Sequence, residues 1–309
     1  MKRLKYLVVL ITGVLFVSYG EEVQAQGCSD AGLCTIAGLK SVPTEVNYAN
    51  QLALGFSLGQ GDQSVSILTA YLSYERSLMD RLSLASKLTF ASADGELGSN
   101  SGLGDLYANF IYTAHETDDS RFLLSAGAKV PLGKSDASDE EVSLPMVYQS
   151  SLGTFDLIFG AAYATGRWGI NLGYQQPLTS EIDNTFLADE YPDVEALGYL
   201  STNGFTRKAD VLARVSYSLP LADGRVILRP SILPIYHIAN DTYFDNAGIE
   251  QEIDGSSGLT LNGNLFAVYQ FNEAHSLELS LGSPFQTRGA RPDGLTREFV
   301  AALEYSIQF

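Results

Sequence analysis

Cysteine, histidine and positive charge are scarce in this chain. Its 309 residues include 2 Cys, 3 His and 1 Trp. Lys and Arg number 19 against 36 Asp and Glu, for a net charge of −17. A surface this acidic repels a phosphate backbone, so nucleic acid is excluded as a partner. With so few histidines, hydrolytic and metal chemistry has little to work with. A lipid-hydrolase reading needs His beside a nucleophilic Ser and an orienting group. His115 and His275 fall in expected turns. His237 has Asp241 four residues on but no matching serine motif. No catalytic residue, metal site or cofactor is assigned, and the expectation is a protein that is not an enzyme. Beyond the first residues, no apolar run reaches the roughly 18 residues that a membrane helix needs.

At the N-terminus Lys2, Arg3 and Lys5 precede an apolar run from Leu7 to Val17, followed by Val23-Gln24-Ala25. That pattern predicts a signal peptide over residues 1–25 and export to an oxidising compartment. Lipid attachment at Cys28 is the other reading. Cys28 and Cys34 stand close together before any strand; a small disulfide loop is expected, with metal binding by the pair as the alternative. Residues 26–46 are polar and Gly-rich, and read as a periplasmic tail or as a plug entering a lumen.

What the chain has in abundance is Gly (29 residues), Tyr (17 residues) and alternation. In Leu295–Phe309, the residues Phe299, Ala301, Leu303, Tyr305, Ile307 and Phe309 share one face, with Glu298, Val300, Ala302, Glu304, Ser306 and Gln308 on the other. Period-two alternation marks a strand with one face in an apolar medium. The same pattern predicts strands over Leu52–Leu58, Val65–Arg76, Arg81–Ala91, Gly104–Ala114, Arg121–Val130, Gly153–Thr165, Trp168–Gln176, Lys208–Leu219, Gly224–Ile238, Leu259–Phe271 and Ser276–Phe285. Ser92–Ser101 reads as a loop from its Gly, Asn and Asp content.

About twelve strands over residues 47–309, an even number, suit a transmembrane antiparallel up-and-down β-barrel in which the last strand pairs with the first. Links after even-numbered strands are short, around Met79, Thr117, Gly166, Asp223 and Asn272. Links after odd-numbered strands are mostly long. That alternation assigns short turns to the periplasm and long loops to the outside. Tyr74, Tyr112, Tyr163, Tyr217, Tyr269, Phe271, Tyr305 and Phe309 cluster at the even strands' ends, and Trp168 opens the strand after one such turn. One height for all of them is an aromatic girdle. A secreted sandwich has no reason to align its tyrosines in this way.

The inward face is expected to carry Lys87, Asp105, Lys129, Asp156, Asp210, Arg214, Arg225, Arg229, Glu278 and Glu304. Buried charge must be paired or hydrated, so these are either a stiffening salt-bridge lattice or the walls of a wet pore. Gly102-Leu-Gly104-Asp105 and Lys129-Val-Pro131-Leu-Gly133 flank strand ends, where glycine marks bulges and proline needs no ladder donor. The glycines lead into alternation rather than a helix, which argues against a nucleotide loop.

On these two stretches, and on Gly153-Thr-Phe-Asp156, the chain resembles the outer-membrane proteins grouped as the meta-pathway phenol-degradation transporter family, distant relatives of the long-chain fatty-acid channels. The Cys28–Cys34 leader looks like one seen on such barrels from the Bacteroidetes group. The resemblance implies a cell-outer-membrane location and uptake of small aromatic or other hydrophobic solutes.

Acidic residues crowd the loops: Asp136, Asp139, Glu140 and Glu141, then Glu181 to Glu195, then Asp241, Asp245, Glu250, Glu252 and Asp254. They read as solvated loops or as divalent-ion bridges to lipopolysaccharide. The expected partners are outer-membrane lipid, lipopolysaccharide, a small-molecule solute and the barrel-assembly machinery, whose signal would be Tyr305 and Phe309. The function these residues suggest is passive solute uptake. The alternative is a closed structural or adhesive barrel acting through its acidic loops.

Overall fold

The computed structural model describes residues 49–139, 142–179, 181–190, 198–295 and 298–309. The expected signal peptide, the residue 26–46 segment and the Cys28–Cys34 loop lie outside the described residues.

The strands are β1 (Asn50–Gln60), β2 (Ser66–Met79), β3 (Leu82–Gly95), β4 (Gly98–Glu116), β5 (Ser120–Pro131), β6 (Ser138–Asp139), β7 (Val142–Ser143), β8 (Asp156–Thr165), β9 (Trp168–Pro177), β10 (Asp210–Tyr217), β11 (Leu219–Leu221), β12 (Val226–His237), β13 (Thr242–Phe244), β14 (Glu250–Glu252), β15 (Gly258–Gln270), β16 (His275–Gln286) and β17 (Phe299–Gln308). β6–β7 and β13–β14 are small hairpins in the long loops. β10 and β11 together make one stave, and the remaining long strands complete a closed antiparallel barrel of 12.

Closure happens where the alternation of the last strand implied. β17 pairs with β1 from Gln308↔Gln51 to Phe299↔Gln60. Phe309 and Asn50 then exchange both backbone hydrogen bonds at 3.0 Å. With no edge left, strand pairing runs around the whole ring, which a lipid environment demands.

Period-two patterning sorts the side chains. Leu54, Phe56, Leu58, Phe110, Leu172 and Ile232 are about half exposed on the outer face, while Ala53, Ile158, Asn171 and Glu304 are buried on the inner one. A belt of exposed apolar side chains on a closed barrel is the lipid-facing surface. The aromatic girdle also forms at the short-turn end. Trp168 lies edge-on to Tyr217 at 4.8 Å, Tyr269 to Phe271 at 4.9 Å and Phe271 to Tyr305 at 6.4 Å. His275 Nδ1 is 2.7 Å from the Tyr305 hydroxyl.

Several sequence expectations need correction. Ser92–Ser101 is not a loop; β3 and β4 continue to Gly95 and Gly98, pairing through Ala93↔Asn100. Inward contacts hold this polar hairpin: Asn100 Nδ2 donates to the Tyr148 carbonyl at 3.0 Å and Ala93 is buried. Arg225 does not face inward. It sits exposed in the turn before β12, where Ala222 and Asp223 adopt positive φ. His115 lies within β4 and His275 opens β16, so neither is in a turn. The stretch 153–155 is not strand, because Gly153 takes φ +70° and breaks the ladder before Asp156.

β12 carries Pro230 and Pro234 mid-strand. Its ladder with β10 skips from Leu212↔Ile235 to Val215↔Ile232. Proline brings no N–H to a ladder, so the interruption falls where the sequence puts it.

Candidate functional site

Inward-facing residues near the long-loop end form a buried ionic layer. Lys129 reaches three partners: Asp105 Oδ2 at 3.5 Å, Asp156 Oδ2 at 3.3 Å and the Thr154 hydroxyl at 2.8 Å. Ser151 Oγ donates to Asp105 Oδ1 at 2.5 Å, and Gln175 Nε2 donates to Asp156 Oδ2. All of these side chains are buried. At such a depth a lone ammonium or carboxylate would be expensive, and mutual pairing offsets that cost.

The sequence motifs converge here for a backbone reason. Two residues of β4, Gly104 and Asp105, oppose one of β3, a bulge at Thr89 whose hydroxyl accepts from the Asp105 N–H at 2.8 Å. The bulge turns the Asp105 side chain into the lumen. Past Pro131, the Leu132 and Gly133 N–H groups donate to the Gly104 carbonyl at 3.1 and 2.9 Å. A Cβ on Gly133 would collide with the Leu103 carbonyl oxygen. Thus Gly102–Asp105, Lys129–Gly133 and Gly153–Asp156, far apart in sequence, build one cluster.

A second ionic group adjoins it and ties loops to wall. Arg207 pairs with Asp210 and, at 3.3 Å, with Asp293 Oδ2. Arg288 holds the same Asp293 oxygen at 2.6 Å and the Ser256 carbonyl at 2.6 Å. The His237 ring nitrogens lie 2.7 Å from Asp210 Oδ1 and 2.8 Å from Asp241 Oδ1. Burial alone would raise the Asp293 carboxyl, but Arg288 and Arg207 more than offset this and hold it well below the usual carboxylate range. Burial would likewise lower Arg207, yet Asp210 and Asp293 keep it above its ordinary value.

Sequence reasoning placed Asp210 here, but not Arg207, Asp241, Arg288 or Asp293. Asp241 is fully buried and is not one of the solvated loop acids. Apart from the four-residue spacing of His237 and Asp241, no local pattern announces these residues, because they lie in irregular loops that only the fold brings together. With both ring nitrogens facing carboxylates, His237 has no hydroxyl among its described partners.

Below this layer Tyr107, Ile158, Leu212 and Leu233 pack together as a buried apolar collar, drawn from four staves. Nothing in the list of inward charges indicated such a collar. The remaining predicted charges lie lower. Lys87 sits 4.0 Å over the Tyr71 ring, and the Tyr71 hydroxyl donates to Glu304 at 2.9 Å. Arg214 lies 5.4 Å from the Phe266 ring centroid, and Arg229 Nε donates to Ser218 at 3.2 Å. Glu278 is half-buried on the same inner face.

Above the ionic layer the loops fold over the mouth. Leu144, Val147, Tyr148, Phe186 and Tyr199 pack onto the inward Val65, Ile67 and Ala93. Met146, Leu152, Ile182, Phe205, Ile253 and Leu295 make an adjoining apolar cluster. Two cavities flank this cap. The inner one, about 60 Å³, lies against Thr69, Lys87, Thr89, Asp105 and Tyr107 and is closed above by Met146–Leu152 and Asp293–Leu295. The outer one, about 210 Å³, is bounded by Asp62, Gln63, Pro145–Val147, Gly198–Leu200, Gly289–Pro292 and Gly294.

No family model matches the chain. No curated protein matches it either. Among solved structures, it is similar to the COG4313 outer membrane channel from Pseudomonas putida F1, with 16% identity and a TM-score of 0.57 over 86% of this chain and 97% of that one. It also aligns with the KdgM porin at 8% identity and a TM-score of 0.44, over 84% of this chain and 99% of that one. Outer membrane phospholipase A from Escherichia coli aligns at 10% identity and a TM-score of 0.38, over 84% and 93% of the two chains. The first likeness shows the fold, that of an outer-membrane barrel.

Proposed function

We propose that this chain is an outer-membrane channel for passive passage of small solutes, long loops outward. The observation that carries this reading is the composition of the lumen. A self-paired ionic layer lies above an apolar collar of Tyr107, Ile158, Leu212 and Leu233. A barrel serving only as an anchor needs no cavities beneath its loops, whereas here chambers lie on both sides of the cap. Likeness in fold to the COG4313 channel points the same way.

The order of these layers supports a finer reading. Charges that satisfy one another offer little to an ion, and a collar of aromatic and aliphatic side chains favours a weakly polar solute. Small aromatic or other hydrophobic compounds bearing one or two polar groups are therefore the proposed cargo, in line with the motif resemblance. Proteoliposomes carrying the purified chain should swell in isotonic small neutral solutes faster than empty ones. Equal swelling across all the solutes tried would refute the proposal and favour a closed barrel acting through its loops.

A further inference from the structure

The wall between the chambers is thin. Among the described residues, Met146, Val147 and Gly294 line both the inner and the outer cavity. Gly294 takes φ +64°, and a Cβ there would lie 2.5 Å from the Val147 Cα and backbone N and 2.7 Å from the Met146 carbonyl carbon. Two loop backbones thus touch directly. A left-handed glycine is what allows the approach.

One side of this contact has its own fastening. The segment Arg288–Leu295 is anchored inward where Asp293, paired within the segment with Arg288, meets Arg207 at 3.3 Å, and where Arg288 donates to the Ser256 carbonyl at 2.6 Å. Outward, Arg291 Nη2 lies 2.8 Å from Asp62 Oδ1, in the short link between β1 and β2. Opposite it, the Met146–Tyr148 turn is buried in the apolar cap. The turn is held by packing; the strap adds its ion pairs to the packing of Leu295 and Ala290 and to the Ala290 N–H bond to the Gly255 carbonyl at 2.9 Å.

We infer that Arg288–Leu295 is the gate of the channel: the strap swings off Met146–Val147 to join the chambers, and the Asp293 clamp between Arg207 and Arg288 sets how often it does so. This rests on the reading of the barrel as a channel. A packed interface with two discrete arrangements responds to loss of one fastening by a shift in population, not by gradual loosening.

The test uses the full chain with Cys28→Ser and Cys34→Ser, so that an added thiol is the sole one. Ala91→Cys puts that thiol in the inner chamber, and its labelling by a bulky charged methanethiosulfonate is timed with and without Asp293→Asn. Solute-driven swelling is measured on the same proteins. Asp293→Asn should raise the labelling rate at least about tenfold and raise swelling with it, while the heat-modifiable folded band persists. Gly294→Ala, which pushes the strap off Val147 without touching the clamp, should act in the same direction. Unchanged labelling in both variants would overturn the gate. Faster labelling without faster swelling would uphold the gate and defeat the channel reading instead.

Discussion

Lys129 is the residue on which the ionic layer turns, since Asp105, Asp156 and Thr154 all point their oxygens at it. Removing one member of a buried pair leaves the other charged and unpaired, which costs roughly 3–5 kcal/mol. Lys129→Met should therefore lower markedly the temperature at which the folded gel band is lost. Adding Asp105→Asn and Asp156→Asn should restore part of the loss, as coupled sites do. An unchanged midpoint in Lys129→Met would mean that water already satisfies these carboxylates. At this scale the sequence was informative wherever chemistry followed alternation. Lys87, Asp105, Lys129, Asp156, Asp210, Arg214, Arg229 and Glu304 are buried on the inner face as their strand parity requires. Arg225 failed because parity was carried into a turn, where positive φ at Ala222 and Asp223 ends the pattern.

Among the elements, β17 and the Arg288–Leu295 strap behave in opposite ways. β17 was legible from Phe299 onward, though Leu295, expected at the strand's start, belongs to the loop cluster. Its alternation, partner strand and aromatic ending follow from sequence, because a two-residue period leaves only one way to face lipid. Phe309 closes the ring through its backbone, and its ring is exposed in the girdle. We propose that Phe309 and Tyr305 also serve as the signal that the barrel-assembly machinery reads. Phe309→Ala keeps the closing hydrogen bonds, so it should slow machinery-dependent insertion well before it lowers the thermal midpoint of assembled barrels. A proportionate loss of both would contradict an assembly role.

The strap, by contrast, was illegible. Asp293 and Arg288 sit in a run of Gly, Ala, Arg and Pro without period, and their partners lie in other loops. Its fastening has a predictable pH range. Because Asp293 is depressed in the folded protein, its stabilisation is complete above the unfolded carboxylate value of about 3.9. It is lost only as pH falls through the lower folded value. Below the range in which the neighbouring His237 changes charge, swelling rates should therefore stay flat from about pH 6 to about pH 4. A rise between about pH 6 and about pH 5 would show that another group holds the strap.

For the molecule as a whole, the barrel is over-determined. Exposed apolar side chains outside, paired charges inside and a girdle at one end all demand the same closed sheet, and any one of them would suffice to suggest it. The cap is not over-determined. Its apolar clusters come from loops whose sequence looks merely polar and acidic, and the collar beneath is assembled from single residues of β4, β8, β10 and β12. Loop folding and cross-barrel contact have no sequence period, which is why the capped mouth and the collar emerge only in three dimensions.

The central claim is that small solutes cross through this interior. Its most direct test is swelling of proteoliposomes across a size series of neutral solutes, aromatic alcohols and polyols side by side. The channel account predicts rates above empty liposomes that fall off with solute size and favour the weakly polar aromatics over polyols of equal size. Rates equal to those of empty liposomes for every member of the series, with the barrel demonstrably folded, would contradict it.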